Sequence, residues 1–178
     1  GQLMKYSNDS FTISTYWDLP QVAISLKKAR CALVDEGTAV DLLDAALRQS
    51  VRDHMQSDVP YGAFLSGGVD SSLVVALMQA ESSQPVKTFS LGFSEVSHDE
   101  SRFARIVARE LGTDHHELIL NAADIPDLIP EVTAFFDEPF ADNSAVPTFL
   151  VSRFARQYVK VCLSGDGGDE LYGGYPRY

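Results

Sequence analysis

The stretch Val59-Pro60-Tyr61-Gly62-Ala63-Phe64-Leu65-Ser66-Gly67-Gly68-Val69-Asp70-Ser71-Ser72 leaves few options for the chain around it. Tyr61 to Leu65 is a short apolar run introduced by a proline, the pattern of a buried central strand. Gly67 and Gly68 carry no Cβ, so the backbone can turn sharply and a ligand can come close. Asp70, Ser71 or Ser72 can cap the helix that follows, whose expected apolar face is Leu73, Val74, Ala76, Leu77 and Ala80. A glycine-rich turn that delivers free N–H groups at a helix start favours anions, phosphate above all.

Two common phosphate loops are excluded. Gly-x-x-x-x-Gly-Lys-Ser/Thr needs a lysine, and none occurs between Lys28 and Lys87. Gly-x-Gly-x-x-Gly does not occur here either. What this loop offers is the hydroxyls of Ser66, Ser71 and Ser72, its backbone N–H groups, and Asp70, which can hold Mg²⁺ against phosphates.

The other elements follow in order. Residues 1–17 read as a hairpin, with a turn at Ser7-Asn8-Asp9-Ser10 between strands carrying Tyr6, Phe11, Ile13 and Trp17. Residues 18–37 show no period and read as a linker, with Lys27, Lys28 and Arg30 as a solvated face. Thr38-Ala39-Val40-Asp41 resembles a capping box ahead of a helix with the stripe Val40, Leu43, Leu47, Val51. Further strands are expected at Val86–Phe93, Glu117–Leu120 and Val159–Leu163. Between them, a helix capped by Ser97 and Glu100 should bury Phe103, Ile106, Val107 and Leu111 and stop at Gly112. A helical pattern from Asp124 should be divided by Pro130. Ser144 should cap the last helix, with Pro147 in its first turn and Leu150, Val151, Phe154 and Tyr158 inside. Strand and helix alternate, so the expected fold is α/β, a Rossmann-like parallel sheet with helices on both faces and ligands at the C-terminal strand ends. Three such ends are Leu65-Ser66-Gly67, Leu91-Gly92 and Leu163-Ser164-Gly165.

Composition narrows the function classes. The 178 residues are enough for about one domain with a real core, and the net charge of −11 disfavours nucleic-acid backbones and anionic membranes. There is no apolar run of membrane-spanning length and no signal-peptide pattern. Cys31 and Cys162 have no metal-type spacing; a reduced, cytoplasmic chain is the simpler reading, although the two could pair. His54 reads as structural, because nothing nearby completes a catalytic dyad; His98, His115 and His116 read as structural too, with His115-His116 expected at a helix–strand junction.

Two more polar segments carry chemistry. Ser164-Gly165-Asp166-Gly167-Gly168-Asp169-Glu170 sets three carboxylates in five residues on a glycine-rich loop after a strand. Carboxylates so close repel, and Mg²⁺ suits oxygen-only ligands. Asp137-Glu138-Pro139-Phe140-Ala141-Asp142-Asn143-Ser144 is the other, and it reads equally well as a loop ending in a helix cap.

The block Ser66-Gly67-Gly68-Val69-Asp70-Ser71-Ser72 resembles the pyrophosphate loop of the N-type ATP pyrophosphatases (the PP-loop superfamily, with the adenine nucleotide alpha-hydrolase-like fold). Taken in order with Phe89-Ser90-Leu91-Gly92-Phe93, Asp137-Glu138-Pro139 and Ser164 to Glu170, it resembles the synthetase domain of glutamine-hydrolysing asparagine synthetase, class B. The resemblance covers residues 38–178. It implies a ligase that uses ATP and Mg²⁺ to adenylate the side-chain carboxylate of aspartate. Ammonia from glutamine then displaces AMP to give asparagine.

The resemblance also implies roles. Leu65, Leu91, Ser164 and Gly165 would line the nucleotide, and Ser66, Gly67, Gly68, Asp70, Ser71 and Ser72 would cradle pyrophosphate. Asp70 and Asp169 would bind Mg²⁺. Asp166, where the family often carries Glu, would support intermediate formation and ammonia attack. Residues 1–37 would be the hairpin and linker leaving an upstream glutaminase domain of the same parent chain, and basic residues of the site would lie past Tyr178. On that reading the present chain alone is catalytically crippled. The substrate-level alternative is a related amidotransferase or cyclising ligase acting on another carboxylate. The alternative from another class is a non-catalytic nucleotide-binding module, against which the intact Asp70, Asp166 and Asp169 argue. The oligomeric state stays open, a homodimer among the options.

Overall fold

The computed structural model describes residues 1–29, 35–94, 101–121, 123, 125–136, 142 and 144–175. Among these, no helix is long and apolar enough to cross a membrane. The chain forms two compact units, Gly1–Asp44 and Ala45–Tyr178.

In the first unit, β1 (Gln2–Ser7) and β2 (Ser10–Thr15) pair antiparallel with Ser7 opposite Ser10. Asn8 and Asp9 both have positive φ (49° and 60°), so the two-residue loop has the twist that suits a tight hairpin. The expected linker is instead a helix, α1 (Leu19–Ala29). Asp18 caps it, its carboxylate accepting the Gln21 N–H at 3.2 Å and its carbonyl the Val22 N–H at 2.9 Å. Pro20 fits the first turn, where its missing N–H costs nothing.

Helix α2 (Glu36–His54) begins before the expected box. Its cap is Asp35, which accepts the Thr38 N–H at 3.0 Å and the Thr38 hydroxyl at 2.7 Å; Thr38 answers the cap rather than being it. Those two donors hold the Asp35 carboxyl below the usual carboxylate range. Of the expected stripe, Val51 is buried and Leu47 packs on the core, whereas Val40 and Leu43 are exposed.

The second unit is built on four parallel strands, β3 (Tyr61–Phe64), β4 (Lys87–Phe93), β5 (Asp114–Leu120) and β6 (Val161–Leu163), in the order β5-β4-β3-β6. Alternate residues feed two cores, as the strand period requires. Ala63, Leu65 and Leu163 join Val51, Val75, Met78, Ala104 and Ala108 on one face. Phe64, Phe89 and Cys162 join Val151, Phe154, Ala155 and Val159 on the other. The helices on the first face include α3 (Val69–Glu81) and α4 (Ser101–Leu111), and on the second α6 (Ala145–Ala155), which follows α5 (Ile125–Phe136). The doubly covered parallel sheet expected from the alternation is therefore present.

Several local expectations change. On α3, Val75, Leu77 and Met78 are buried, while Leu73 is 43 % exposed. On α4 the buried face is Ser101, Ala104 and Ala108; Phe103 and Ile106 point outward. Small residues lie inward there because the turn at Gly67 comes against the backbone of Phe103 and Ala104. Helix α4 does end at Gly112, with φ +68° and the Thr113 N–H bonded to the Ala108 carbonyl. Helix α5 runs through Pro130 instead of dividing there. Helix α6 has no side-chain cap from Ser144; the Ser144 N–H and hydroxyl donate to Asp142 at 2.8 and 2.7 Å. Tyr158 lies just beyond α6. The capping pair Ser97 and Glu100, His98, Asp124, Asp137-Glu138-Pro139, Cys31 and Arg30 lie outside the described residues.

His115 and His116 sit inside β5, not at a junction, because the strand starts at Asp114. The Lys87 ammonium pairs with Asp114 across the β4–β5 register and holds its carboxyl below the ordinary range. His116 stacks on Phe89 at 5.5 Å between ring centroids and meets the Tyr158 ring, tilted by 35°, at 4.2 Å. The ring nitrogens of His115 meet Thr88 Oγ1 at 2.9 Å and Ser90 Oγ at 3.2 Å. Burial pushes the His115 imidazole below its ordinary pKa; Glu117 opposes this, and His116 and Arg105 add to it. The unfolded chain then takes up the proton first as pH falls below about 6.5. Stability should be full above that pH and decline down to the lower folded pKa. Urea midpoints between pH 8 and 5 should show this decline, with a smaller one in His115→Gln; equal declines would reject the assignment.

Candidate functional site

The chain runs outward from β3 to β4 and β5, then crosses back to lay β6 on the other side of β3. The strand order thus reverses beside β3, and at such a switch point an open parallel sheet forms a crevice at the C-terminal strand ends. A cleft of about 750 Å³ lies at that point. The loops after these two strands form its floor, and α6 forms a wall.

The first loop turns at Gly67, with φ +86°. Helix α3 starts immediately afterwards with Gly68 as its N-cap and no side-chain cap. Asp70, Ser71 and Ser72 thus lie inside the first turn rather than capping it. The first intrahelical bond is Ser72 N–H to the Gly68 carbonyl at 3.0 Å, which leaves the N–H groups ahead of it available. The second loop packs directly on this helix start. A Cβ added to Gly165 would stand 2.7 Å from the Ser71 nitrogen, and one added to Gly168 would stand 2.6 Å from the Asp70 carboxyl carbon. The loop continues into the short helix α7 (Gly168–Tyr172), and the Tyr175 hydroxyl donates to Glu170 at 2.9 Å.

Leu65, Ser66, Gly68, Asp70, Ser71, Leu91, Ser164, Gly165, Asp166 and Asp169 all line this cleft. Gly67 and Ser72 do not; Gly67 makes the turn from behind, and the Ser72 hydroxyl is buried. Asp166 is exposed, and its carboxylate accepts the Ser164 hydroxyl at 2.9 Å. Sequence reasoning missed the wall: Phe64, Phe136, Pro147, Thr148 and Val151 give it an apolar side with hydroxyls. Asp142 and Ser144 belong there too, and Asp142 is held below the usual carboxylate range by the Ser144 hydroxyl and N–H.

Among the described residues that line the cleft, Asp70, Asp142, Asp166, Asp169 and Glu170 are acidic and none is Lys, Arg or His. The α3 N–H groups offset part of this charge for an entering polyanion, and a bound cation would offset more. Among the described residues, no three His, Cys, Asp or Glu groups converge as a metal site. Mg²⁺ does not require one, since it keeps several waters and takes one or two carboxylates plus phosphate oxygens. The oxygen-only donors Asp70 and Asp169 on the one cleft fit such an ion.

The asparagine synthase family model matches residues 42–178. The chain belongs to the asparagine synthase family. It is 43 % identical over 161 residues to a putative glutamine-hydrolyzing asparagine synthetase 2 of Methanocaldococcus jannaschii, covering 90 % of this chain and 30 % of that one. Against the glutamine-hydrolyzing asparagine synthetase 1 of Bacillus subtilis it is 39 % identical over 144 residues, 81 % of this chain and 23 % of that one. Against asparagine synthetase B of Escherichia coli the figures are 32 % over 160 residues, 81 % and 28 %. The chain thus spans less than a third of the length of these relatives.

The fold also matches NMN synthetase from Francisella tularensis, with TM-score 0.50 and 19 % identity over 74 % of this chain and 56 % of that one. A glutamine-dependent NAD⁺ synthetase from Acinetobacter baumannii, solved with ADP, gives 0.51 and 24 % over 72 % and 26 %. Both likenesses are of fold, and they agree with the adenine nucleotide alpha-hydrolase-like sheet expected of this member of the asparagine synthase family.

Proposed function

We propose that the cleft is the ATP site of an asparagine synthetase that converts aspartate to asparagine through β-aspartyl-AMP. The observation that carries this reading is the meeting, at one switch point, of the uncapped α3 start and the acidic loop after β6. The free N–H groups of α3 would hold the β,γ-phosphates, and the ends of β3 and β4 at Leu65 and Leu91 would line the nucleoside with Ser164 and Gly165. Asp70 and Asp169 would hold Mg²⁺, which when bound neutralises charge on the departing pyrophosphate.

In the first step, the β-carboxylate oxygen of aspartate bonds to the α-phosphorus and pyrophosphate leaves. In the second, ammonia bonds to the acyl carbon, gives up a proton, and AMP leaves with the C–O bonding pair. Asp166 would steady the cationic nitrogen in this step and accept its proton. The ammonia would come from glutamine, hydrolysed by a domain of the same parent chain for which residues 1–37 are the exit and residues 38–178 the synthetase portion. The relatives' names support this source, as does the third or less of their length that this chain spans. Taken by itself, the present chain is expected to be inactive, and the working enzyme is expected in the cytoplasm.

The test is product analysis of the full-length protein given ATP, Mg²⁺, aspartate and ammonium. Asparagine, AMP and pyrophosphate should form in equal amounts. ADP with phosphate, or amidation of a different carboxylate in place of aspartate, would reject the reading.

A further inference from the structure

The hydroxyls of Ser66 and Ser71 are used up inside the loop itself. The Gly68 N–H donates to Ser66 Oγ at 3.2 Å, and the Ser66 and Ser71 hydroxyls bond at 2.9 Å. Ser71 Oγ donates to the Gly68 carbonyl at 3.3 Å and accepts the Ser66 N–H at 3.3 Å. A hydroxyl has one hydrogen and two lone pairs. With Ser71's hydrogen on the Gly68 carbonyl, the Ser66–Ser71 bond takes Ser66's hydrogen. The ring closes on Gly68, and neither hydroxyl keeps a donor for a ligand. Ser71 is also only 9 % exposed.

The donors left over are backbone ones. The start of α3 has no side-chain cap, and Gly165, lacking a Cβ, leaves clear the space beside the Ser71 nitrogen. We propose that Ser66 and Ser71 are positioning residues rather than phosphate ligands: their ring holds the Ser66–Gly68 turn so that the α3 N–H groups meet the pyrophosphate. The phosphate half of this proposal rests on the nucleotide reading above; the ring is a property of the free protein.

A double-mutant cycle tests it, because members of one ring fail together whereas separate ligands add. Ser66→Ala and Ser71→Ala should each weaken Mg·ATP binding by roughly tenfold, the scale of one or two lost hydrogen bonds. The double variant should be weakened by roughly the same factor, and Ser71→Thr should restore binding. In the nucleotide-free protein, Ser71→Ala should speed amide hydrogen exchange at Ser66 and Gly68 by about tenfold or more, relative to the wild type. A double variant weakened roughly a hundredfold, or unchanged exchange in free Ser71→Ala, overturns the positioning role and leaves the nucleotide reading intact. A wild-type protein that binds no Mg·ATP overturns the nucleotide reading instead, and the exchange measurement still decides the ring.

Discussion

In an Asp166→Asn variant of the full-length protein, asparagine formation should fall by about two to three orders of magnitude, while the affinity for Mg·ATP changes by less than about threefold. The magnitude is that of removing a proton acceptor or a charge aimed at the reacting centre. Asp166 is suited to such a role because it stands exposed in the cleft with one oxygen held by the Ser164 hydroxyl. Asparagine keeps the shape, and its Oδ1 keeps that bond, so the variant removes charge and little else. The affinity should be nearly untouched because the proposed phosphate contacts lie on the start of α3. Asp166→Glu, which keeps the carboxylate on a longer stem, should retain most of the rate. Steady-state asparagine formation and calorimetric titration with Mg·ATP make the comparison. A rate within about threefold of the parent would remove Asp166 from the chemistry.

The parts of this molecule that were legible in the sequence are those set by neighbours in the chain. Tyr61 to Ser72 shows its strand, turn and helix because proline, an apolar run and two glycines lie within one short stretch. The acidic loop after β6 shows itself in the same way. What stayed hidden depends on partners far away. Strand β5 begins at Asp114 although Asp-His-His-Glu looks like loop, because Lys87 on β4 answers Asp114, Thr88 and Ser90 answer the two ring nitrogens of His115, and Arg105 on α4 answers Glu117. The inward face of α4 carries alanines where a stripe of Phe103 and Ile106 was expected, because the Gly67 turn presses on its backbone. The α6 wall could not be foreseen, since Thr148 and Val151 reach the cleft only through the crossover that returns the chain to β6. Helix α1 is a different case: the signal was local, in Asp18 followed by Pro20 and in the helical spacing of Leu19, Val22, Ala23 and Leu26, and the linker reading missed it.

The two glycines of the phosphate loop look equivalent in sequence and should behave very differently when replaced by valine. At Gly67 the backbone has φ +86°, a region costing a β-branched residue about 1–3 kcal/mol. Its new Cβ would also lie 2.5 Å from the Ala104 nitrogen and 2.6 Å from Phe103 Cβ. The first of these is backbone and cannot swing aside, so α4 itself would have to shift, at a further cost of about 1–3 kcal/mol. Gly67→Val should therefore lose about 2–6 kcal/mol of stability, a large fraction of the roughly 5–15 kcal/mol that a domain has, together with Mg·ATP binding. Gly68 has φ −70° and ψ 166°, which any residue adopts, and its added Cβ would meet only Ser66 Oγ at 3.3 Å. Gly68→Val should stay within about 1 kcal/mol of the parent in stability, since a surface change without strain rarely does more. It should still weaken nucleotide binding by disturbing Ser66. Urea unfolding curves paired with Mg·ATP titrations separate the two effects. If Gly67→Val unfolded at the same urea concentration as the parent, the packing of the loop on α4 would not be what holds the turn. The anion site would then owe its geometry to the hydroxyl ring alone.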